Sequence, residues 1–232
     1  MIEAVGSIAK GIALGRTLSM PFSPGKFITL EGGEGAGKST QARLLLTALQ
    51  QRGFGVVLTR EPGGAPGAEL IRKLLVEGQA ARWDAMSEAL LLFAARRAHL
   101  HETIVPALGR GDWVICDRFT DSTFAYQGDA GGLGRETIEQ LAALALDADS
   151  PVPHLTLVLD IPVEQGLARA QFRGGAENRF ESLGVAFHQR LRDSFLQIAG
   201  REPARCVLID TAAPPDIVAI AILAALSSRL GI

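Results

Sequence analysis

The sequence predicts an α/β fold, a doubly wound five-stranded parallel sheet flanked by helices. Five short hydrophobic segments are each followed by a longer segment with helical spacing, which is typical of a parallel sheet covered on both faces. Right-handed crossovers between such strands give the doubly wound arrangement. The predicted strands are Phe27–Glu31, Gly55–Arg60, Trp113–Asp117, Leu155–Asp160 and Cys206–Asp210.

The segments between the strands are rich in Ala, Leu, Arg and Glu and predict helices. Their ranges are 38–52, 67–78, 84–109, 134–147, 162–172, 184–200 and 215–230, with a further short helix after Asp117. Residues 173–182 interrupt this pattern with glycine and charge, and they predict a mobile surface loop, here named the lid. We expect residues 25–232 to form one domain and residues 1–24 to be a loosely ordered N-terminal extension.

The composition describes an ordinary globular chain. Hydrophobic residues make up 47% and charged residues 21% of the 232 positions, which argues against wholesale disorder. The net charge of −2 argues against a generic basic surface for nucleic acid. Nineteen of the 23 basic residues are arginines, whose fork binds phosphate bidentately, although a GC-rich genome produces the same bias.

Two further features of the sequence bear on location. The two cysteines, Cys116 and Cys206, lie in apolar strand-like segments without metal-binding spacing, so we expect reduced thiols in a cytoplasmic protein. The longest apolar run, Ile217–Leu226, is shorter than the roughly 18–20 residues that a membrane span needs, so we expect no membrane partner.

A phosphate-binding loop of the P-loop NTPase type follows the first strand. The segment matches GxxxxGK[ST] and precedes an amphipathic helix, which is the context that the motif requires. Glycine backbone N–H groups and the helix N-terminus bind phosphate oxygens, the lysine reaches the β- and γ-phosphates, and the serine hydroxyl ligates Mg²⁺. The predicted ATP-binding residues are Gly32, Gly33, Glu34, Gly35, Ala36, Gly37, Lys38, Ser39 and Thr40.

The motif is shared by many nucleotide users, and other segments narrow the class. A GTPase needs an [NT]KxD segment, yet Lys73 is the only lysine after the phosphate loop and has no Asp two positions later. A motor or helicase is normally longer and more basic. Both classes are therefore disfavoured.

A second group of anion-binding residues is predicted at the carboxyl edge of the sheet. Arg60 ends the second strand, Arg72 lies at the start of the next helix, and Asp117 and Arg118 end the third strand. An aspartate at this position can hold the hydration shell of Mg²⁺, and arginines can neutralise a transferring phosphoryl group. Taken singly, each arginine is more often a solvated surface or salt-bridge residue, and it is their clustering that favours a binding role. The sequence leaves the isomer of the Glu61–Pro62 bond open.

Two helical pairs have the residue types that read a nucleobase. Phe93 and Arg97 are spaced i,i+4, which places a stacking ring beside a hydrogen-bond donor. Thr123 and Gln127 are also spaced i,i+4, with Tyr126 between them. A core position for Phe93 and an ordinary helix start around Thr123 remain the alternatives.

Several segments resemble the bacterial thymidylate kinase family, and the resemblance extends over roughly residues 26–230. TREPGG and the run after Asp117 are specific to that family, whereas the phosphate loop is not. The segments that carry the resemblance are EGGEGAGKST at 31–40, TREPGG at 59–64, LFAARR at 92–97, DRFTDSTFAYQG at 117–128, LVLD at 157–160 and NRFE at 178–181.

The resemblance implies Mg²⁺-dependent transfer of the ATP γ-phosphate to dTMP by a cytoplasmic homodimer. It implies that Lys38 and Ser39 serve the ATP phosphates and Mg²⁺, and that Glu34 lies near the sugar 3′-hydroxyl and phosphate of dTMP. The acceptor phosphate would be bound by Arg60, Arg72 and Arg118. The thymidine would be bound by Phe93 stacking on the base, Arg97, Thr123 and Gln127 on its polar edge, and Tyr126 beside the sugar.

The resemblance also implies a catalytic cation from the lid. Family members place a basic residue in the phosphate loop or supply it from the lid, and here Gly35 follows Glu34. Arg173 and Arg179 are therefore the candidates, although Arg169 is left open as well. A kinase for another nucleoside monophosphate and a regulatory ATPase with no acceptor are the two alternative functions.

Overall fold

The described part of the computed structural model, residues 25–78, 82–173 and 179–232, has the predicted α/β architecture. Its five strands form one parallel sheet in the order β2-β3-β1-β4-β5. Four strands have their predicted bounds, and β2 begins one residue later than predicted. The strands are β1 Phe27–Glu31, β2 Val56–Arg60, β3 Trp113–Asp117, β4 Leu155–Asp160 and β5 Cys206–Asp210.

Helices follow each strand as predicted. They are α1 Lys38–Gln51, α2 Pro66–Val76, α3 Ala85–His99, α4 Val105–Gly109, α5 Thr120–Thr123, α6 Arg135–Ala145, α7 Val163–Arg173, α8 Val185–Arg201 and α9 Pro215–Leu230. Two π-helical segments, Leu100–Ile104 and Phe124–Ala130, continue α3 and α5. The predicted helix 84–109 is therefore α3, a π-helical turn and α4, and Pro106 in α4 has no N–H for regular α-helical bonding to the preceding turn.

Strand β1 occupies the centre of the sheet, and its side chains alternate between the two faces. Ile28 and Leu30 pack in one cluster with residues of α1 and α9. Phe27 packs in another cluster with Leu100 and Ile104. Strands β2 and β3 lie on one side of β1, and β4 and β5 lie on the other. The carboxyl end of β1 is thus the switch point at which doubly wound sheets bind ligands.

Several sequence predictions fall outside the described residues. These are the N-terminal extension 1–24, lid residues 174–178 and the side chain of Arg173. The Glu61–Pro62 peptide bond, which the sequence left open, is cis. Among the helices that the structure describes, none is long and apolar enough to cross a membrane.

Candidate active site

A cavity of about 510 Å³ opens at the carboxyl ends of β1, β2 and β3. Three segments that follow these strands meet there, because the strands are parallel and end at one edge of the sheet. The predicted site residues among its lining are Glu34, Gly35, Gly37, Lys38, Ser39, Thr40, Arg60, Arg72, Asp117, Arg118, Thr123, Tyr126 and Gln127. We refer to this cavity as the cleft.

The phosphate loop joins β1 to α1, as its sequence context predicts. Gly35 has a φ of +68°, and a Cβ there would lie 1.9 Å from the carbonyl oxygen of Gly166, so only glycine fits. Lys38 folds back over the loop and donates from Nζ to the carbonyl oxygens of Gly32 and Gly33 at 3.0 and 2.7 Å. Burial and the nearby Arg118 lower the pKa of Lys38 to about 8. Ala36 is buried.

Ser39 and Asp117 form the contact between the start of α1 and the end of β3. The Ser39 hydroxyl donates to Oδ2 of Asp117 at 2.6 Å. Two oxygen ligands of the kind that Mg²⁺ prefers therefore lie together at the phosphate-loop side of the cleft.

Arg118, Glu34 and Tyr126 form a compact group in the cleft. Nη2 of Arg118 and the hydroxyl of Tyr126 both donate to Oε1 of Glu34, at 2.9 and 2.7 Å. The Arg118 guanidinium also lies over the Tyr126 ring, 4.9 Å from its centroid. Burial alone would raise the pKa of Glu34, but the charges of Arg118 and Lys38 and the Tyr126 hydroxyl lower it to about 2. Glu34 is therefore an anion at any physiological pH.

Arg60 and Arg72 bring two more guanidinium groups to the cleft. Arg60 pairs with Glu69 at 3.1 Å in a half-exposed ion pair. Arg72 donates from Nη1 to the carbonyl oxygen of Pro62 at 2.6 Å, so its position depends on the turn after β2. With Arg118, these residues give the cleft the anion-binding character that the sequence predicts.

The structure does not bring Arg97 to the cleft. Its Nη1 donates to the carbonyl oxygen of Ala145 and to Asp147, on the exposed side of α3. Its neighbour Arg96 is 1% exposed and lines the cleft instead. The spacing could not distinguish the two arginines, because positions i+3 (Arg96) and i+4 (Arg97) from Phe93 both lie near the same side of the helix. Arg96 is the one that points to the cleft, because it is buried against Glu61 and the segment after β3.

Arg96 belongs to a buried polar network that sequence reasoning did not find. Its Nε donates to Oε2 of Glu61 at 2.7 Å, and its Nη2 donates to the Thr123 hydroxyl at 2.9 Å. His99 lies 3.0 Å from the other carboxylate oxygen of Glu61 and 2.7 Å from the hydroxyl of Thr59. The TREPGG motif contains Glu61, and that was the available signal for its role.

Two atoms of this region are buried and have no hydrogen-bond partner among the described residues. They are Nη1 of Arg96, a donor, and Oε1 of Gln127, an acceptor. The amide nitrogen of Gln127 is already bound to Glu88 at 2.9 Å. Buried polar atoms without a partner are costly and rare, so this donor and acceptor indicate a ligand with the complementary pair.

Phe93 lies behind this network rather than in the lining of the cleft. It is 2% exposed and packs with Ala89 and Ile138. The Arg96 guanidinium lies 5.1 Å from the centroid of its ring, so Phe93 supports Arg96.

Arg179, the first described residue after the gap in the lid, is buried and already engaged. It forms an ion pair with Glu88 and donates to the carbonyl oxygen of Leu75 at 3.1 Å. These contacts fasten the end of the lid to α2 and α3, whereas the sequence predicted that Arg179 would be directed at the ATP phosphates. Arg169 donates to the carbonyl oxygens of Thr211 and Ala212.

Comparisons with known proteins show which family the chain is similar to. A family model described as thymidylate kinase matches residues 30–222. A thymidylate kinase of Caulobacter vibrioides is 55% identical over 208 residues, which cover 90% of this chain and 99% of that protein. A thymidylate kinase of Rhizorhabdus wittichii is 52% identical over 208 residues, 89% of this chain and 99% of that protein.

A solved structure gives the same result for the fold. The crystal structure of a thymidylate kinase from Ehrlichia chaffeensis superposes with a TM-score of 0.70 at 35% identity, covering 88% of this chain and 100% of that one. Sequence, fold and cleft agree, and the chain therefore belongs to the thymidylate kinase family.

Proposed function

We infer that this protein transfers the γ-phosphate of ATP to dTMP and releases ADP and dTDP. The observation that carries the inference is one cleft that joins a nucleotide-binding phosphate loop to a cluster of three arginines and an unpartnered donor–acceptor pair. A regulatory ATPase has no use for the second half of this cleft. The family comparisons point to the same reaction.

The donor half of the site holds the phosphates of ATP. The phosphate-loop amides and Lys38 bind the β- and γ-phosphates. Lys38 donates to the carbonyl groups of Gly32 and Gly33, and we propose that it exchanges these contacts for phosphate oxygens when ATP binds.

Mg²⁺ fits the oxygen pair formed by Ser39 and Asp117. The hydroxyl of Ser39 is a direct ligand in our proposal, and Asp117 holds the ion directly or through water. The ion supplies charge neutralisation on the phosphate oxygens. Replacement of Ser39 by Ala should raise the Mg²⁺ concentration needed for half-maximal activity, and an unchanged Mg²⁺ requirement would contradict this assignment.

The acceptor half of the site holds dTMP. Arg60, Arg72 and Arg118 bind its phosphate, which is already ionised at pH 7 and needs no general base. Glu34 lies near the sugar 3′-hydroxyl and phosphate, and Tyr126, which is fixed by its bond to Glu34, packs against the sugar and disfavours a 2′-hydroxyl.

The pyrimidine ring is read by the unpartnered pair. Thymine presents an acceptor, O4, beside a donor, N3–H, which complement Nη1 of Arg96 and Oε1 of Gln127. Cytosine presents an amino donor and an unprotonated N3, so both contacts would be lost. Thr123 orients Arg96. Stacking of Phe93 on the base, which the family resemblance implies, would require dTMP to displace the packing that buries its ring.

Catalysis in this scheme is alignment and charge neutralisation. The two nucleotides are held in line with about 3 Å between the attacking oxygen and the phosphorus atom. We propose that closure of the lid excludes water and that Arg173 brings a positive charge to the transferring group. Arg179 anchors the lid through Glu88, and this position favours Arg173 as the catalytic group.

We also propose a homodimer in the cytoplasm. Leu70 and Leu74 on α2 and Met86 and Leu90 on α3 are exposed apolar residues on two helices that pack together, and such a face is typical of a subunit interface. A Leu90→Glu substitution should lower the mass measured by sedimentation. The substrates are intracellular nucleotides, and both cysteines are buried free thiols, as in proteins of a reducing compartment.

The decisive experiment measures ADP release with dTMP, dUMP, dCMP, UMP and AMP as acceptors. ADP release should depend on the acceptor and be fastest with dTMP. Turnover of ATP at the same rate without any acceptor would overturn the proposal. A preference for dCMP over dTMP would overturn both dTMP as the acceptor and the assignment of the base-reading pair.

A further inference from the structure

Arg118 has a backbone conformation that must be held in place by its surroundings. Its φ is +71°, and it is the one non-glycine residue with positive φ in the described part of the chain. Such a conformation is strained for a residue with a Cβ and persists only where neighbouring contacts stabilise it. It follows β3 directly and turns the Arg118 side chain toward Gly32 and Glu34.

The contacts that hold this turn come from the end of β1. The backbone N–H of Arg118 donates to the carbonyl oxygen of Leu30 at 2.9 Å. The next N–H, of Phe119, donates to Oε1 of Glu31 at 2.7 Å. The hydroxyl of Ser122 donates to the other oxygen, Oε2, at 2.5 Å. Glu31 is fully buried, so both bonds form without competition from water.

The side chain of Arg118 is tied into the same arrangement. Its Nη1 lies 3.3 Å from the Ser122 hydroxyl, which is bound to Glu31 in turn. A buried carboxylate is costly, and an apolar residue would suit the interior of a central strand better. The position of Glu31 therefore calls for a role that an apolar side chain cannot fulfil.

We propose that Glu31 is the positioning residue of Arg118 and thereby aligns the acceptor phosphate. Its carboxylate holds the Phe119 amide and the Ser122 hydroxyl, and these fix the turn that aims the guanidinium. Because Glu31 immediately precedes Gly32, one short segment of chain fixes both the start of the phosphate loop and the position of the arginine that binds the acceptor. This inference rests on the proposed function, in which Arg118 binds the phosphate of dTMP.

Three variants test the proposal. Glu31→Leu removes both hydrogen bonds and keeps a similar volume. Glu31→Gln can still accept from the Phe119 amide and can donate to the Ser122 hydroxyl. Thr29→Val is the control: it removes the buried 2.7 Å hydrogen bond between the Thr29 and Thr156 hydroxyls, two residues earlier on the same strand.

The measurements are the KM values for dTMP and ATP, kcat, and the equilibrium Kd for dTMP without ATP. In Glu31→Leu, KM and Kd for dTMP should rise at least ~10-fold, while KM for ATP changes less than about 3-fold. Glu31→Gln should restore dTMP binding to within about 3-fold of wild type. Thr29→Val should lower stability without a selective effect on dTMP.

Several results would overturn the role of Glu31. An unchanged Kd for dTMP in folded Glu31→Leu is one, and equal losses for ATP and dTMP are another. If Glu31→Leu does not fold, Ser122→Ala serves in its place, and it should raise KM for dTMP at least ~3-fold with KM for ATP unchanged. Wild-type protein that phosphorylates dTMP keeps the proposed function intact whichever way these variants behave.

Discussion

Nη2 of Arg118 lies 2.9 Å from Oε1 of Glu34, and this ion pair joins the end of β3 to the middle of the phosphate loop. The same carboxylate oxygen accepts the hydroxyl hydrogen of Tyr126. The residue proposed to bind the acceptor phosphate is thus oriented by an acidic side chain of the donor loop. This contact therefore links the donor and acceptor halves of the cleft.

The first prediction concerns the guanidinium fork of Arg118. Arg118→Lys keeps the charge but cannot bind Glu34 and a phosphate bidentately, so KM for dTMP should rise at least ~10-fold, more than KM for ATP. Steady-state kinetics with each substrate varied in turn gives both values. Arg110→Lys, an exposed arginine before the other end of β3, is the matched control and should behave as wild type. Equal KM values for wild type and Arg118→Lys would contradict the prediction.

The second prediction separates two neighbouring arginines. Arg96→Lys removes the buried Nη1 and should raise KM for dTMP at least ~10-fold and weaken discrimination against dCMP. Arg97→Ala loses only exposed contacts and should change KM less than about 2-fold. Acceptor kinetics with dTMP and dCMP provide the test. A large rise in KM for dTMP in Arg97→Ala, together with a small rise in Arg96→Lys, would indicate that Arg97 reads the base instead.

The third prediction separates the two lid arginines. Arg173→Ala should lower the single-turnover rate of phosphoryl transfer at least ~10-fold, a loss of about 1.4 kcal/mol or more. Arg179→Ala removes the buried cation that pairs with Glu88, and the free energy of unfolding should fall by roughly 3 kcal/mol. Chemical denaturation and rapid-quench kinetics measure the two effects. If neither substitution changes the rate of transfer, the catalytic role of the lid is wrong.

The fourth prediction uses the protonation of Glu31. Burial and the charge of Asp121 raise the pKa of Glu31 from 4.5 to about 7. Between these two values the folded state holds a proton that the unfolded state has released, so stability is lost as pH rises through this window. The stability of wild type relative to Glu31→Gln should therefore fall by about 1–3 kcal/mol between pH 4.5 and 7.5. Urea denaturation across this range measures it, and a pH-independent difference would contradict the raised pKa.

The sequence alone determined the order of strands and helices in this protein. Hydrophobic segments of strand length alternate with helical spacing, and these local patterns do not depend on distant contacts. The phosphate loop was equally readable, because its chemistry lies in consecutive residues such as Gly37 and Lys38. The ends of the predicted strands also placed Arg60, Asp117 and Arg118 at one edge of the sheet.

The tertiary structure decided which side chains meet. Arg96 and Arg97 are equivalent by spacing, and only packing of α3 against the segment after β3 buries the first and exposes the second. Arg179 has a basic side chain that suits a lid, yet Glu88, 91 positions earlier in the chain, holds it in place. Glu31 reads as the last residue of a strand, and its contacts with Phe119 and Ser122 exist only because β1 and β3 are neighbours. Contacts between distant residues leave no periodic trace in a sequence, and for this physical reason the fold was predictable while the fine assignment within the cleft was not.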